Sequence, residues 1–162
     1  MSTEKALLGA GCFWGVEHIL KKIEGVKSTD VGYSGGVVKD PTYPLVCSGT
    51  TGHAEVVLVE FDPDIISYEK VLEVFFRLHD PTTVNRQHND IGTQYRSVIF
   101  TYNDEQKKIA IEVIKKLNES KVFKDPVVTQ VLEAREFYSA EIYHQDYLDK
   151  NPDGYMCHIL RN

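Results

Sequence analysis

The sequence predicts an α/β fold: a ferredoxin-like α/β plait, with helices packed on a mixed sheet and a loop-rich C-terminal tail. Three observations carry this. Strand-like and helix-like segments interleave along the chain. Some strand-to-strand connections are too short for a crossover helix, which favours antiparallel neighbours. Residues 54–61 are mostly apolar on both alternating faces, as in an interior strand covered on both sides. A fully parallel doubly wound sheet is the weaker alternative. A chain of 162 residues fits one ordinary domain, so residues 1–162 are read as one unit with a tail at 150–162.

Lys5 to Ala10 reads as a short buried strand ended by glycine. Phe13 to Glu24 reads as a helix, because Val16, Ile19, Leu20 and Ile23 share the spacing of one apolar face, and Gly25 supplies a C-cap. Val26 to Tyr33 is strand-like until Ser34-Gly35-Gly36 breaks it. Asp40-Pro41-Thr42 opens a loop or short helix through Tyr43 to Ser48. Ala54 to Phe61 is the clearest strand, with Glu55, Val57, Val59 and Phe61 on one of its faces. Ser67 caps a helix whose inner face is Tyr68, Val71, Leu72, Phe75 and Phe76, and Asp80-Pro81 ends it. The polar stretch Thr82 to Thr93 is long enough to suggest function. Gln94 to Tyr102 reads as a strand. Asn103 caps a helix through Leu117, with Gln106 at the capping-box position. Val127 to Glu136 reads as a further strand, and Ser139 as the start of a short helix to about Asp149.

Composition narrows the function classes. A hydrophobic fraction of 42% and a charged fraction of 26% predict a packed core. The net charge of −6 argues against a nucleic-acid partner, which needs a basic footprint. The sequence has neither a signal-peptide pattern nor an apolar run long enough for a bilayer, so no membrane partner is expected. Three widely spaced cysteines do not make a secreted disulfide framework, and a cytoplasmic location is expected. The six histidines lack metal-ligand spacing, so no metal is expected.

Cys12 stands in Gly11-Cys12-Phe13-Trp14-Gly15, between the first strand and the first helix. A thiol at a helix N-terminus meets unpaired N–H groups and the positive end of the macrodipole, and both favour the nucleophilic thiolate. Phe13 and Trp14, the chain's only tryptophan, could wall a small apolar pocket. Glu55 shares a face with apolar residues; burial there would raise its pKa and make it a proton donor, whereas at the strand's first turn it would point into water. Tyr43 and Tyr95 lie in or beside polar loops, where a phenol can donate to a developing oxyanion or simply pack. Asp90 belongs to a polar loop that forms either a site rim or a solvated turn. Cys157 stands in a glycine-preceded tail, where a mobile thiol can reach a distant oxidised cysteine. Cys47 reads as structural, on an apolar face.

The motifs GCFWGVE (Gly11 to Glu17), GYSGG (Gly32 to Gly36), PTYPLVCSGTTGHAEVV (Pro41 to Val57), HDPTTVNRQHNDIGTQYRS (His79 to Ser97) and YHQDYLDKNPDGY (Tyr143 to Tyr155) resemble the type A peptide methionine sulfoxide reductases over nearly the whole chain. The resemblance implies an α/β plait that reduces methionine-S-sulfoxide, free or in proteins. It implies Cys12 as the catalytic nucleophile, Phe13 and Trp14 as receivers of the S-methyl group, and Glu55 as the acid that protonates the sulfoxide oxygen. It also implies Tyr43 and Tyr95 as ligands of that oxygen, Asp90 as a supporting acid and Cys157 as the resolving thiol. Thioredoxin would be the external reductant of a monomer that needs no bound cofactor. Many relatives carry a second tail cysteine; here none follows Cys157, and Met156 separates it from Tyr155, which leaves Cys47 as the other candidate partner. Two rival readings are a thiol peroxidase-like enzyme, which would leave the aromatic pair unexplained, and a non-catalytic binder of oxidised methionine.

Overall fold

The computed structural model describes residues 3–156 and 158–161, so the predicted resolving residue Cys157 lies outside the described residues. In chain order the elements are β1 (Glu4–Ala10), α1 (Phe13–Leu20), β2 (Val26–Ser34), α2 (Tyr43–Cys47), β3 (Ala54–Phe61), α3 (Tyr68–Arg77), β4 (Arg86–Gln87), β5 (Asp90–Ile91), β6 (Ser97–Thr101), α4 (Asp104–Ser120), β7 (Gln130–Glu133), β8 (Phe137–Ser139) and α5 (Tyr147–Lys150).

Six strands form one mixed sheet in the order β7-β6-β1-β3-β2-β8. Among the described residues only the β6–β7 pair of this sheet is parallel; its other four pairings are antiparallel. The parallel doubly wound alternative is thereby overturned. Its physical reason is visible between β2 and β3: Ser34 pairs with Ala54, so residues 35–53 turn the chain straight back instead of crossing over.

β3 sits between β1 and β2, and both its faces are covered, as its composition predicts. Val57, Val59 and Phe61 join the main core with Leu8 of β1, Phe13 and Leu20 of α1, and Leu72 and Phe75 of α3. Val56 joins a smaller cluster on the other face with Leu7, Val98 and Phe100. Among the described residues no helix is long and apolar enough to cross a membrane.

Several boundaries differ from expectation. α1 stops at Leu20 rather than Glu24, because Lys22 N–H and Ile23 N–H bond the carbonyls of Ile19 and Leu20 and tighten the chain into 3₁₀-type turns. The expected strand from Gln94 begins only at Ser97; Thr93–Tyr95 is a 3₁₀ turn entered through Gly92 at φ 147°. The polar stretch 82–93 contains the small β4–β5 hairpin. The strand expected over Val127 to Glu136 shrinks to β7, an edge strand paired only with β6. Ser139 ends a strand instead of starting a helix: β8 pairs with β2, and a 3₁₀ turn at Ile142–His144 and a left-handed Asp146 (φ 54°) separate it from α5.

Candidate active site

Cys12 occupies the N-cap position of α1 and is buried at 6% exposure. The next amide, Phe13 N–H, donates to Glu55 Oε1 at 3.2 Å. This bond ties the helix start to β3 beneath it. Glu55 is 1% exposed, and its Oε2 has no hydrogen-bond partner among the described residues. Burial pushes the Glu55 carboxyl up to about 8; the Phe13 N–H opposes the rise and the Asp90 charge adds to it. The water-facing reading of Glu55 is therefore excluded, and the residue is a carboxylic acid near neutral pH.

Tyr43 opens α2, whose N-cap Thr42 accepts from Leu45 N–H at 3.4 Å. Tyr43 and Cys47 stand four residues apart on one face of this short helix. Gln94 Nε2 donates to the Cys47 carbonyl at 3.3 Å and brings the 3₁₀ turn bearing Tyr95 against α2. The Cys47 thiol hydrogen-bonds both the Tyr43 and the Tyr95 hydroxyls, with burial pushing the thiol up against the effect of those bonds. Reading Cys47 as a purely structural residue on an apolar face is thus corrected: it is half-buried within the polar cluster. Both phenols are held well above their ordinary range, by burial first and then by the neighbouring Glu55. They stay protonated and can donate.

Phe13 is 1% exposed and Trp14 half-buried. Their rings stack near Tyr43, with centroids 6.2 and 6.3 Å away. Tyr147 of α5 stacks on Trp14 at 3.9 Å and 10°. His144 Nδ1 accepts from Trp14 Nε1–H at 3.0 Å, and its ring lies 4.2 Å from that of Tyr43. Glu141 joins the same segment to α2, accepting from Tyr33 OH at 2.9 Å and Tyr43 N–H at 3.0 Å. His144, Tyr147 and Glu141 are not among the residues expected at the site from the sequence. The available signal was a histidine beside the aromatic residues Tyr143 and Tyr147.

Asp90 is half-buried at the β4–β5 hairpin and accepts from Tyr155 OH at 3.3 Å. Beyond Cys157 the tail returns to the site. His158 is buried, and its Nε2 donates to the carbonyl of Ala10 at 2.6 Å. Among the described residues no group of three or more His, Cys, Asp or Glu could hold a metal ion. Seven of the eight predicted site residues are described. Six of them, Cys12, Phe13, Trp14, Tyr43, Glu55 and Tyr95, gather at the start of α1, and Asp90 stands near enough to act on the Glu55 charge.

The profile of the family described as peptide methionine sulfoxide reductase matches residues 4–162. The peptide methionine sulfoxide reductase MsrA of Methanothermobacter thermautotrophicus is 56% identical over 158 residues, 98% of this chain and 93% of that protein. Among solved structures, reduced Mxr1 from Saccharomyces cerevisiae superposes with a TM-score of 0.92 at 38% identity, over 99% of this chain and 93% of the other. Mxr1 in complex with Trx2 superposes at 0.66 with 25% identity, over 99% and 91% of the two chains.

Proposed function

The chain belongs to the peptide methionine sulfoxide reductase family of oxidoreductases, and we propose that Cys12 and Glu55 carry its reaction on methionine-S-sulfoxide, free or in proteins. The observation that carries the assignment is the buried, protonated Glu55, bonded to the amide that follows Cys12. A sulfoxide sulfur becomes electrophilic when its oxygen is protonated or strongly hydrogen-bonded. Glu55 Oε2–H, Tyr43 OH and Tyr95 OH supply those protons, while Phe13 and Trp14 hold the S-methyl group. The Cys12 thiolate attacks the sulfur. Substrate sulfur gains two electrons and leaves as a thioether; Cys12 loses two and keeps the oxygen as a sulfenic acid. Asp90 supports the site by helping to keep Glu55 protonated.

The Cys157 thiol then condenses with the sulfenic acid, releasing water and leaving a Cys12–Cys157 disulfide. A thioredoxin dithiol reduces that disulfide by exchange. The complex of the related Mxr1 with Trx2 supports this choice of reductant. No bound cofactor enters these steps, and we place them in a monomer in the reducing cytoplasm. The strand order β6-β1-β3-β2 supports the ferredoxin-like plait as the finer description of the sheet.

Mass spectrometry after one equivalent of methionine sulfoxide tests the assignment. The expected product is a protein lighter by two hydrogens, with a peptide linking Cys12 to Cys157. A Cys12–Cys47 link would move the resolving role to Cys47. Turnover by Cys12→Ser would remove the nucleophile from the proposal.

A further inference from the structure

We infer that His144 is a positioning residue that fixes the Trp14 indole and thereby sets how large an S-alkyl group the site admits. The inference rests on the reading above, in which Trp14 receives the substrate's methyl group.

Trp14 is half-buried, and stacking defines only the plane of its ring. Tyr147 lies parallel to it at 3.9 Å, a contact that a flat ring can slide along at little cost. The indole has a single directional group, Nε1–H, and His144 Nδ1 accepts it at 3.0 Å. That bond removes the remaining in-plane freedom. The same imidazole packs 4.2 Å from Tyr43 and 5.3 Å from Phe13, so one ring touches three aromatic residues of the site.

His144 is itself held firmly. On its C-terminal side Gln145 clamps the backbone of β2, accepting from Val31 N–H at 2.9 Å and donating to the Val31 carbonyl at 2.8 Å. Asp146 N–H donates to Glu17 Oε1 of α1 at 2.8 Å. On its N-terminal side Glu141 bonds Tyr33 and the Tyr43 amide. The imidazole is 2% exposed, and burial lowers its pKa against the opposing Glu141 charge. In the neutral ring Nδ1 is the acceptor, so the proton sits on Nε2, which has no partner among the described residues. Of the two ring nitrogens, then, only Nδ1 has a hydrogen-bond partner among the described residues, and that partner is Trp14.

The test pairs two variants. His144→Phe keeps an aromatic ring but loses the acceptor; His144→Asn places an amide oxygen near the position of Nδ1. Two readouts are taken: the emission of the chain's only tryptophan, and the ratio of kcat/KM for methionine sulfoxide over ethionine sulfoxide. One methylene in an apolar pocket is worth roughly tenfold or more, so the wild type should favour methyl by about that factor. The Phe variant should shift the emission and lower the ratio at least about threefold, while Asn restores both. Lost stability alone would lower both activities together and leave the ratio unmoved. Unchanged emission or an unchanged ratio in the Phe variant overturns the inference, as does a wild type that treats both sulfoxides alike. A wild type that reduces neither overturns the proposed reaction as well, which separates the two failures. Should His144→Phe not fold, His144→Leu against its isostere His144→Asn makes the same comparison.

Discussion

Glu55 and Trp14 both border the Cys12–Phe13 turn, yet they are held by different means. Glu55 stands on β3, which is hydrogen-bonded to β2 on one side and β1 on the other; Tyr33 is its direct partner across the sheet. Its position is set by backbone ladders that do not depend on the side chain. Trp14 is oriented by side chains instead: Tyr147 stacks on it and His144 bonds it, both from a segment of short turns beyond β8. The acid can therefore be altered without moving its support. The aromatic wall shifts whenever one of its partners does.

The strongest way to break this contrast is Glu55→Gln. The amide is nearly isosteric, and its oxygen can still accept the Phe13 N–H, so the turn stays where it is. Only the proton is lost. Sulfoxide reduction in single turnover should fall about a hundredfold, the usual scale of general acid catalysis. In the wild type the rate should decline as pH rises past about 8, where Glu55 ionises, and that limb should be missing in the variant. A variant with the same alkaline limb would assign it to another group.

The same carboxyl should also appear in stability. The folded chain holds the Glu55 proton up to about pH 8, while an unfolded chain releases it near the ordinary value of 4.5. Between those values the folded state binds the extra proton, so stability declines as pH rises through the window. Below the window both states are protonated and nothing is lost. The melting temperature of Glu55→Gln should therefore exceed that of the wild type by more above pH 8 than below pH 4.5. A difference independent of pH would mean that the amide's packing, not its charge, sets the stability.

The ladder-held side is also the side that sequence periodicity reveals. Alternation along 54–61 places Glu55 on the face of Val57 and Val59, and the structure keeps it there. The strand–Gly–Cys–helix order of residues 5–24 likewise puts Cys12 at a helix start. The side-chain-held wall has no period to read. Residues 139–149 change conformation every few positions, and a serine that resembles a cap there ends β8. Cys47 is misread for a related reason. Its apolar neighbours Leu45 and Val46 suggest a structural face, but the helical spacing from Tyr43 is the informative relation.

The smallest expected effect probes the tail, where His158 is also held by a side-chain contact. A Cβ added at Gly15 would lie 2.5 Å from His158 Nδ1, 3.1 Å from its Cγ and 3.2 Å from its Cβ. The severe contact is with the ring, so the imidazole must turn aside or its backbone must shift, and either movement weakens its bond to the Ala10 carbonyl. Arg161 stays anchored to α3 through its N–H bond to the Arg77 carbonyl at 2.9 Å. Alanine within α1 favours the helix by about 1 kcal/mol over glycine, which offsets part of the lost contact. Gly15→Ala should thus move the melting temperature by only a few degrees. Its kinetic signature is selective: the first turnover of methionine sulfoxide stays at the wild-type rate, and thioredoxin-driven cycling slows several-fold. That split is expected because His158 follows Cys157 directly in the chain, whereas Glu55 and the phenols keep their own supports. An equal loss in both phases would mean that the added methyl acts through the Cys12–Phe13 turn and not through the tail.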